Sequence, residues 1–292
     1  MAEDPPWRRP PRGHFPGVPA WGAPSASMRT EKFDVAAMPQ VSPDWAWGGA
    51  DGSGVRVAVL DSGVDGGHPL IPGLERSVQV VTGPEGAAQV ADCEPGDVAG
   101  HGTACAGLIS SIAPAVAITS VRVLNDGRQG TGAALLAGLG WAIDEGYDLI
   151  NMSLSTAKPA FCLALHELAD RAYFRRCALV ASAHNMPVRS FPWLFSSVIS
   201  VASHDEPDPW AYYYNAAPPV DFYARGVKVR VAWPGGAQIL SSGNSFATPH
   251  ITGISALILS KHPGLTPFQL KTILYLAATN VRRDNGGHHD TP

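Results

Sequence analysis

The sequence is poor in several features that mark particular classes of protein. Only four of its 292 residues are cysteine, too few for the disulfide framework on which many small secreted domains depend. No apolar run reaches the length of about 18 residues that a membrane-spanning helix needs. Lysine and arginine total 21 against 25 acidic residues, so the basic excess of a nucleic-acid-binding protein is missing. We therefore expect neither a nucleic-acid nor a membrane partner.

The start of the chain differs in composition from the remainder. Residues 1–27 are rich in proline, glycine and arginine and show no hydrophobic periodicity, which predicts a disordered segment. They contain no apolar run of signal-peptide length, and the few cysteines do not suggest an oxidising compartment. We therefore expect a cytoplasmic protein with one folded domain at 28–283 and a flexible tail at 284–292.

Strand and helix patterns alternate through the predicted domain. Apolar, β-branched runs predict strands near residues 55–60, 116–123, 147–152, 177–183 and 197–202. Longer runs with helical spacing predict helices near residues 101–111, 131–145, 160–175, 245–261 and 267–278. This alternation predicts an α/β fold with three α/β/α layers around a mostly parallel central sheet.

Three short strings each place one reactive side chain among small residues: VAVLDSGVD, GHGTACAG and SSGNSFATPH. The reactive side chains are Asp61, His101 and Ser245. Acid, then histidine, then serine is one of the chain orders known for a catalytic triad. An aspartate at the end of a buried strand can orient a histidine ring, and a serine at a helix N-terminus lies beside backbone N–H groups. The three strings together favour nucleophilic catalysis.

Each of these side chains also has a structural interpretation. Asp61 could cap a turn at the end of its strand, and His101 could cap a helix or be a hydrogen-bonded core residue. Ser245 could be an ordinary helix N-cap. Taken singly, these interpretations stay open, and the triad rests on the three strings occurring together.

The strings LDSGVD, HGTxxAG and GxSxATPHxxG resemble those of the subtilisin-type serine peptidases. The resemblance implies that Ser245 is the nucleophile, His101 the general base and Asp61 the carboxylate that orients it, and that the reaction needs no cofactor. It also implies that Asn185, which follows the strand pattern CALVAS, donates a hydrogen bond to the oxyanion. His184 precedes this asparagine where the family commonly has glycine.

Two further segments resemble the strands with which the family binds the substrate backbone. The string DLINMSLS ends in Ser153, Leu154 and Ser155, and Gly130 lies in the segment expected to oppose it. Ser155 stands where the family has glycine, so we expect it to narrow the first specificity pocket. By themselves the two segments could equally be an apolar strand and a loop.

The chain departs from the family around the nucleophile and after the histidine helix. Asn244 and Phe246 replace a usual threonine and methionine, which we expect to affect specificity more than chemistry. Cys105 resembles a cysteine that some subtilases carry beneath the histidine. The string SSIAP, where many relatives insert a calcium loop, contains no carboxylate, so we expect no requirement for calcium.

The sequence thus predicts a serine endopeptidase that hydrolyses peptide or protein substrates through an acyl-enzyme. The strings HGTACAGLISSIAPAVAITSVRVL and NMPVRSFPWLFSSVISVASHDEPDPWAYYYNAAPPVDF resemble compact bacterial subtilases, including those that trim precursor peptides in cyanobactin-type pathways. This resemblance implies a processing role. Two alternatives stay open, a non-catalytic subtilase scaffold that binds peptides or a protein partner and an esterase with the same triad. The oligomeric state is left undetermined.

Overall fold

The computed structural model describes residues 41–83, 87–124 and 130–281. Ser42–Pro292 belong to one compact unit, and its described part carries all the elements named below. No helix of that part is both long enough and apolar enough to cross a membrane. Two segments predicted from the sequence lie outside the described residues: 1–27 and 284–292.

The described residues form thirteen strands and six α-helices. The strands are β1 Arg56–Asp61, β2 Gly63–Val64, β3 Leu74–Thr82, β4 Ala88–Asp92, β5 Gly96–Asp97, β6 Ala117–Arg122, β7 Leu149–Met152, β8 Ala178–Ser182, β9 Ile199–His204, β10 Tyr212–Tyr214, β11 Phe222–Arg225, β12 Val229–Trp233 and β13 Ala237–Ser241. The helices are α1 Pro43–Trp47, α2 His101–Ile112, α3 Gly132–Asp144, α4 Cys162–Phe174, α5 Asn244–Lys261 and α6 Pro267–Ala277. The five predicted strands are β1 and β6 to β9, and the five predicted helices are α2 to α6, with ends that differ by two residues at most.

Nine strands form the central sheet in the order β10-β11-β9-β8-β7-β1-β6-β3-β4. The seven inner strands run parallel, and the edge strands β10 and β4 are antiparallel to their neighbours. This confirms the prediction of an α/β fold with a mostly parallel sheet. The strand β1 lies between β7 and β6, so its carboxyl end falls in the middle of the sheet.

The core is divided by the sheet. Ala58 and Leu60 of β1 join a buried apolar cluster with α3 and α4, while Val57 and Val59 point to the opposite face because side chains alternate along a strand. On that opposite face α2 and α5 contact each other and the sheet, and the β12–β13 hairpin packs on α2. The layers therefore place α2 and α5 side by side, with their first residues at the same edge of the sheet.

Several strands are not predicted by the sequence patterns. The edge strand β4 and the outer hairpin strand β13 are mostly exposed or half-buried, so burial imposes little hydrophobic alternation on them. The helix α2 also extends through Ile112. The connection to β6 is therefore only residues 113–116, shorter than the SSIAP loop expected from the sequence.

Candidate active site

Asp61 is the last residue of β1, and its side chain is almost completely buried (1% exposed). The His101 Nδ1 atom lies 2.8 Å from Oδ1 and 2.9 Å from Oδ2 of this carboxylate. The Ser62 backbone N–H also donates to Oδ1, at 2.8 Å. A buried carboxylate with these donors is held as an acceptor, and it fixes the proton of the imidazole on Nδ1.

His101 is the first residue of α2, and the chain before it is arranged to expose that helix end. Gly100 has a left-handed φ of 81°, and a side-chain carbon there would lie 2.5 Å from the Trp233 ring, so both backbone and space require glycine. The Asp97 carboxylate accepts hydrogen bonds from the backbone N–H groups of Gly100 and Thr103 and from the Thr103 hydroxyl. These bonds fix the start of the helix and hence the position of the histidine.

The protonation of His101 is set by two opposed effects. Burial of the ring disfavours its charged form, but attraction to the Asp61 carboxylate outweighs burial and raises the pKa of His101 well above its usual value. The His101 side chain remains 16% exposed, so its outer nitrogen stays accessible. The pair can therefore accept a proton from a nucleophile and stabilise the imidazolium that forms.

Ser245 is the second residue of α5 and lies beside this pair. Its Oγ donates to the Ser153 carbonyl at 3.2 Å, and Ser153 Oγ donates to the Ser245 carbonyl at 2.9 Å. The Cys105 sulfur lies 4.0 Å from His101 Nδ1 and 3.6 Å from the Ser245 carbonyl oxygen. The next residue, Phe246, places its ring centroid 5.5 Å from that of His101. A hydroxyl has one proton to donate, so Ser245 must give up its bond to Ser153 before it can donate to His101.

Asn185 lies in the exposed loop after β8, next to the first turn of α5. Its Oδ1 accepts a hydrogen bond from the Asn244 backbone N–H at 2.9 Å, which leaves the side-chain NH₂ group as a donor. The Ser245 N–H belongs to the first turn of α5, and no acceptor for it is found among the described residues. These two donors flank the nucleophile, as an oxyanion hole requires.

His184 does not have the left-handed backbone that a glycine at this position would permit. Among the described residues, the non-glycine residues with positive φ are Arg176 and Lys228. The replacement of glycine by histidine is therefore accommodated without backbone strain at this position. The shape of the loop before Asn185 thus tolerates a side chain.

The predicted substrate-binding residues are brought together at one pocket, with one exception. Gly130, Leu154 and Ser155 line a pocket of about 230 Å³. The exception is Ser153, which is buried: its hydroxyl donates to the Ser245 carbonyl and accepts from the Asn151 side-chain amide. The Ser155 hydroxyl accepts a hydrogen bond from Ser190 at 2.9 Å.

The described residues contain one group of three side chains with metal-ligand chemistry: Asp61, His101 and Cys105. Two of these already form the carboxylate–imidazole pair, and burial raises the pKa of the Cys105 thiol despite the attraction of the nearby imidazolium, so the sulfur stays protonated. The α2–β6 connection, Ala113 to Val116, supplies no carboxylate. The residues there do not fit a calcium site.

Three residues of the site are not predicted from the sequence: Asp97, Ser190 and Asn244. Each acts through hydrogen bonds to groups whose proximity depends on the fold, and in the sequence Asn244 stands out only as a departure from the usual threonine. For Asp97 the sequence carries no capping signal, because Asp97 lies three residues before Gly100, the N-cap of the helix.

Comparisons with known proteins agree with this geometry. A family model described as "Subtilase family" matches residues 52–290. Subtilisin DY of Bacillus licheniformis is 31% identical over 248 residues, which cover 80% of this chain and 86% of that protein. Subtilisin of Bacillus pumilus is 33% identical over 248 residues, with 79% and 86% covered.

Solved structures show the same likeness. A cold adapted subtilisin-like serine proteinase gives a TM-score of 0.66 at 30% identity and covers 82% of this chain and 88% of that one. Sphericase gives a TM-score of 0.64 at 25% identity, with 77% and 83% covered. The family match therefore extends from residue 52 to residue 290 and includes Asp61, His101, Asn185 and Ser245.

Proposed function

The chain belongs to the subtilase family and is a serine endopeptidase that acts on peptide or protein substrates, and we propose that Asp61, His101 and Ser245 are its catalytic triad. The observation that carries this assignment is the buried Asp61–His101 pair next to the first turn of α5. A helix start with a hydroxyl, adjacent to an oriented imidazole, is suited to nucleophilic attack on a carbonyl.

In the proposed mechanism, Ser245 Oγ leaves the Ser153 carbonyl and attacks the scissile carbonyl carbon. His101 Nε2 takes the hydroxyl proton, and Asp61 stabilises the imidazolium through its two contacts with Nδ1. The imidazolium then gives the proton to the leaving amine as the C–N bond breaks. A water molecule then attacks the acyl carbon while His101 takes its proton, and His101 returns that proton to Ser245 Oγ as the ester C–O bond breaks.

We assign the oxyanion hole to the Asn185 side-chain NH₂ and the Ser245 backbone N–H. Charge develops on the carbonyl oxygen only as the tetrahedral intermediate forms, so donors fixed beforehand stabilise the transition state more than the substrate. The hydrogen bond from Asn244 N–H to Asn185 Oδ1 supports this role because it turns the amide donor away from that backbone group.

A fluorophosphonate probe tests the triad directly. We expect the folded protein to be labelled on Ser245 and the Ser245→Ala variant to be neither labelled nor active. Ser242→Ala is the matched control, since that hydroxyl lies three residues earlier and accepts from Lys228 N–H. Absence of labelling in the folded protein would favour the non-catalytic scaffold, and ester turnover without peptide turnover would favour the esterase.

For specificity, we propose that the residue before the cleaved bond is small. A hydrogen-bonded row of side chains supports this: the Trp193 indole N–H donates to Ser190 Oγ at 2.8 Å, and Ser190 in turn donates to Ser155. Ser190 is completely buried, so Ser155 is held in place beside the pocket rather than free to rotate out. A cleavage profile on a proteome-derived peptide library should show small residues at this position, and a preference for large aromatics would contradict the proposal.

We further propose that the natural substrate is a peptide or protein precursor. A held, narrowed pocket favours a few cleavage sites over general degradation, which is the requirement for processing. The same library profile tests this, because a processing enzyme should cleave a small subset of the sequences that contain an accepted residue before the cut. Cleavage at most such sequences would argue for a degradative role.

We also propose that folding requires no calcium. The support is that residues 113–116 have only apolar side chains, so they offer no side-chain oxygen to a calcium ion. Thermal unfolding with and without a chelator should give the same midpoint, and a large drop in midpoint with chelator would contradict the proposal.

Finally, we propose a cytoplasmic location. All four cysteines, which lie among the described residues, are unpaired, and two of them, Cys105 and Cys177, are buried, as is common where thiols stay reduced. Fractionation of the source cells should recover the protein with cytoplasmic markers, and recovery from the medium would contradict it.

A further inference from the structure

Asn244, the residue before the nucleophile, uses every hydrogen-bonding position of its side chain. Its Oδ1 accepts from the Ser203 backbone N–H at 2.9 Å and from the Ser203 hydroxyl at 2.6 Å. Its Nδ2 donates to the carbonyls of Ala183 at 3.2 Å and His184 at 3.3 Å. An amide group offers two donors and two acceptor lone pairs, so the side chain is fully satisfied.

These partners belong to three separate parts of the fold. Ala183 and His184 are in the loop after β8, Ser203 is near the end of β9, and Asn244 begins α5. One side chain therefore joins the carboxyl ends of two adjacent strands to the helix that carries Ser245. A threonine, with a single hydroxyl, could not make all four bonds.

We propose that Asn244 is a positioning residue that sets the distance and angle between the Asn185 amide and Ser245. The inference rests on the proposed role of Asn185 in the oxyanion hole. Asn244 holds the two residues before Asn185 by their carbonyls, and its own N–H holds Asn185 Oδ1. Asn244 therefore holds Asn185 in two ways, through the backbone just before it and through its side-chain oxygen.

The Asn244→Asp variant is the sharpest test because it keeps the size of the side chain and the acceptor to Ser203. It replaces the two donors by an oxygen that faces the carbonyls of residues 183 and 184, which repel it. We expect kcat to fall by about 10- to 100-fold with KM changed by less than about twofold, because the oxyanion contact is made in the transition state. Binding of a peptide boronate, whose adduct places an oxygen in the hole, should weaken in parallel.

Asn215→Asp is the matched control. That asparagine also bridges backbone groups, donating to Ala217 and Val220 carbonyls and accepting from Ala217 N–H, but it lies near the opposite end of β11 from α5. We expect this variant to change stability without changing kcat per labelled active site. An equal loss of kcat in both variants would show a general structural effect and overturn the proposal.

A double variant separates positioning from other roles. If Asn244 acts through Asn185, Asn244→Asp should lower kcat by less than about twofold when Asn185→Ala is already present. Losses that multiply in the double variant would overturn the proposal. Should Asn244→Asp fail to fold, Asn244→Thr decides, since it keeps a hydroxyl but lacks the paired donors, and an unchanged kcat there would overturn the proposal as well.

The same variants distinguish the inference from the function on which it rests. If Asn185→Ala leaves kcat unchanged, the oxyanion assignment itself is wrong, and the positioning role is wrong with it. If Asn185→Ala lowers kcat but Asn244→Asp does not, only the positioning role is wrong.

Discussion

The two sides of Ser245 are held by different kinds of interaction. On the proton-transfer side, Asp61 and His101 form a buried pair in which a carboxylate contacts one ring nitrogen twice. On the oxyanion side, Asn185 and Asn244 are fixed by neutral hydrogen bonds between amides, carbonyls and a hydroxyl. A hydrogen bond to a charged group is stronger than one between neutral groups. The neutral side therefore relies on several hydrogen bonds that support one another.

Most of the substitutions that depart from the family pattern correspond to this division. Asp61 and His101 match the family strings, and three substitutions, His184, Asn244 and Ser155, lie on the proposed oxyanion and pocket side. A fourth, Phe246, is an exception because its ring contacts that of His101. The proton-transfer side requires two residue types in one geometry, but the oxyanion side can be rebuilt from other polar groups that reach the same positions. Asp61, His101 and Ser245 therefore keep the family's residue types, and most of the substitutions lie on the side proposed to hold the substrate.

The largest expected loss of activity comes from a substitution on the proton-transfer side. Asp61→Asn removes the charge that raises the pKa of His101 and favours the wrong tautomer, so kcat should fall by about 10⁴-fold. Activity requires neutral His101, which is lost as pH falls through its pKa. Removing the carboxylate lowers that pKa, so the acid limb of the residual kcat/KM profile should move to lower pH. An acid limb that stays in place would contradict the pairing.

The next largest loss of activity is expected from a substitution on the proposed oxyanion side. Asn185→Ala should lower kcat by about 10²- to 10³-fold while KM changes little, because the amide acts on the tetrahedral intermediate. The pH profile should keep its shape, since no charged group is removed. Steady-state kinetics across pH on the same substrate therefore distinguish this variant from Asp61→Asn, and a shifted profile would show that the two sides are coupled.

A third prediction concerns α5, which supports both sides. Burial is the main reason that the pKa of His250 is lowered to about 4, and Arg225 and His204 lower it further against the hydrogen bond to the Phe246 carbonyl. The unfolded chain therefore binds a proton between pH 6.5 and about 4 that the folded chain does not. The free energy of unfolding should fall as pH is lowered through this window, by about 3 kcal/mol for this group.

His250→Asn sharpens that prediction because the amide can still donate to the Phe246 carbonyl but does not titrate. Denaturant unfolding at pH 7 and at about pH 4.5 should show a smaller loss of stability in this variant than in the wild type. We expect kcat per folded enzyme to be unchanged at pH 7. An equal acid loss in both proteins would contradict the role of His250.

The smallest effect concerns the pocket on the oxyanion side. Ser155→Gly should raise kcat/KM for substrates with a large residue before the cut by about 10-fold relative to substrates with a small one. Ser190→Ala is the control, because it breaks the Ser190–Ser155 hydrogen bond but leaves the Ser155 side chain. If the control alone relaxes specificity, the bond rather than the added side chain sets the width of the pocket.

The fold could be predicted, and the triad proposed, because both leave local patterns. Buried parallel strands give continuous apolar runs, as in β1 and β8, and the three reactive residues stand among small residues in short strings. The exposed strands β4 and β13 give no such run, and their pairing depends on neighbours distant in sequence. For these elements the tertiary structure decides, and sequence patterns are insufficient.

The network around Asn244 shows a second limit. Three of its four partner atoms are backbone atoms of residues 183, 184 and 203. Because every residue has these atoms, the residue types at those positions do not indicate the contact. The hydrogen bond between Ser155 and Ser190 joins two serines 35 positions apart, and either alone looks like an ordinary polar residue. The sequence singled out Asn185 as a proposed donor but not the groups that hold it.

The Cys105 thiol, which lies beneath His101, allows opening of the active site to be measured by alkylation. Cys105 is fully buried, and burial raises the pKa of its thiol, so a thiol reagent cannot modify it while the helices α2 and α5 stay in contact. Cys93 and Cys162 are partly exposed and supply an internal reference for reagent access. The rate at which Cys105 is alkylated in the native protein therefore reports how often the active site opens.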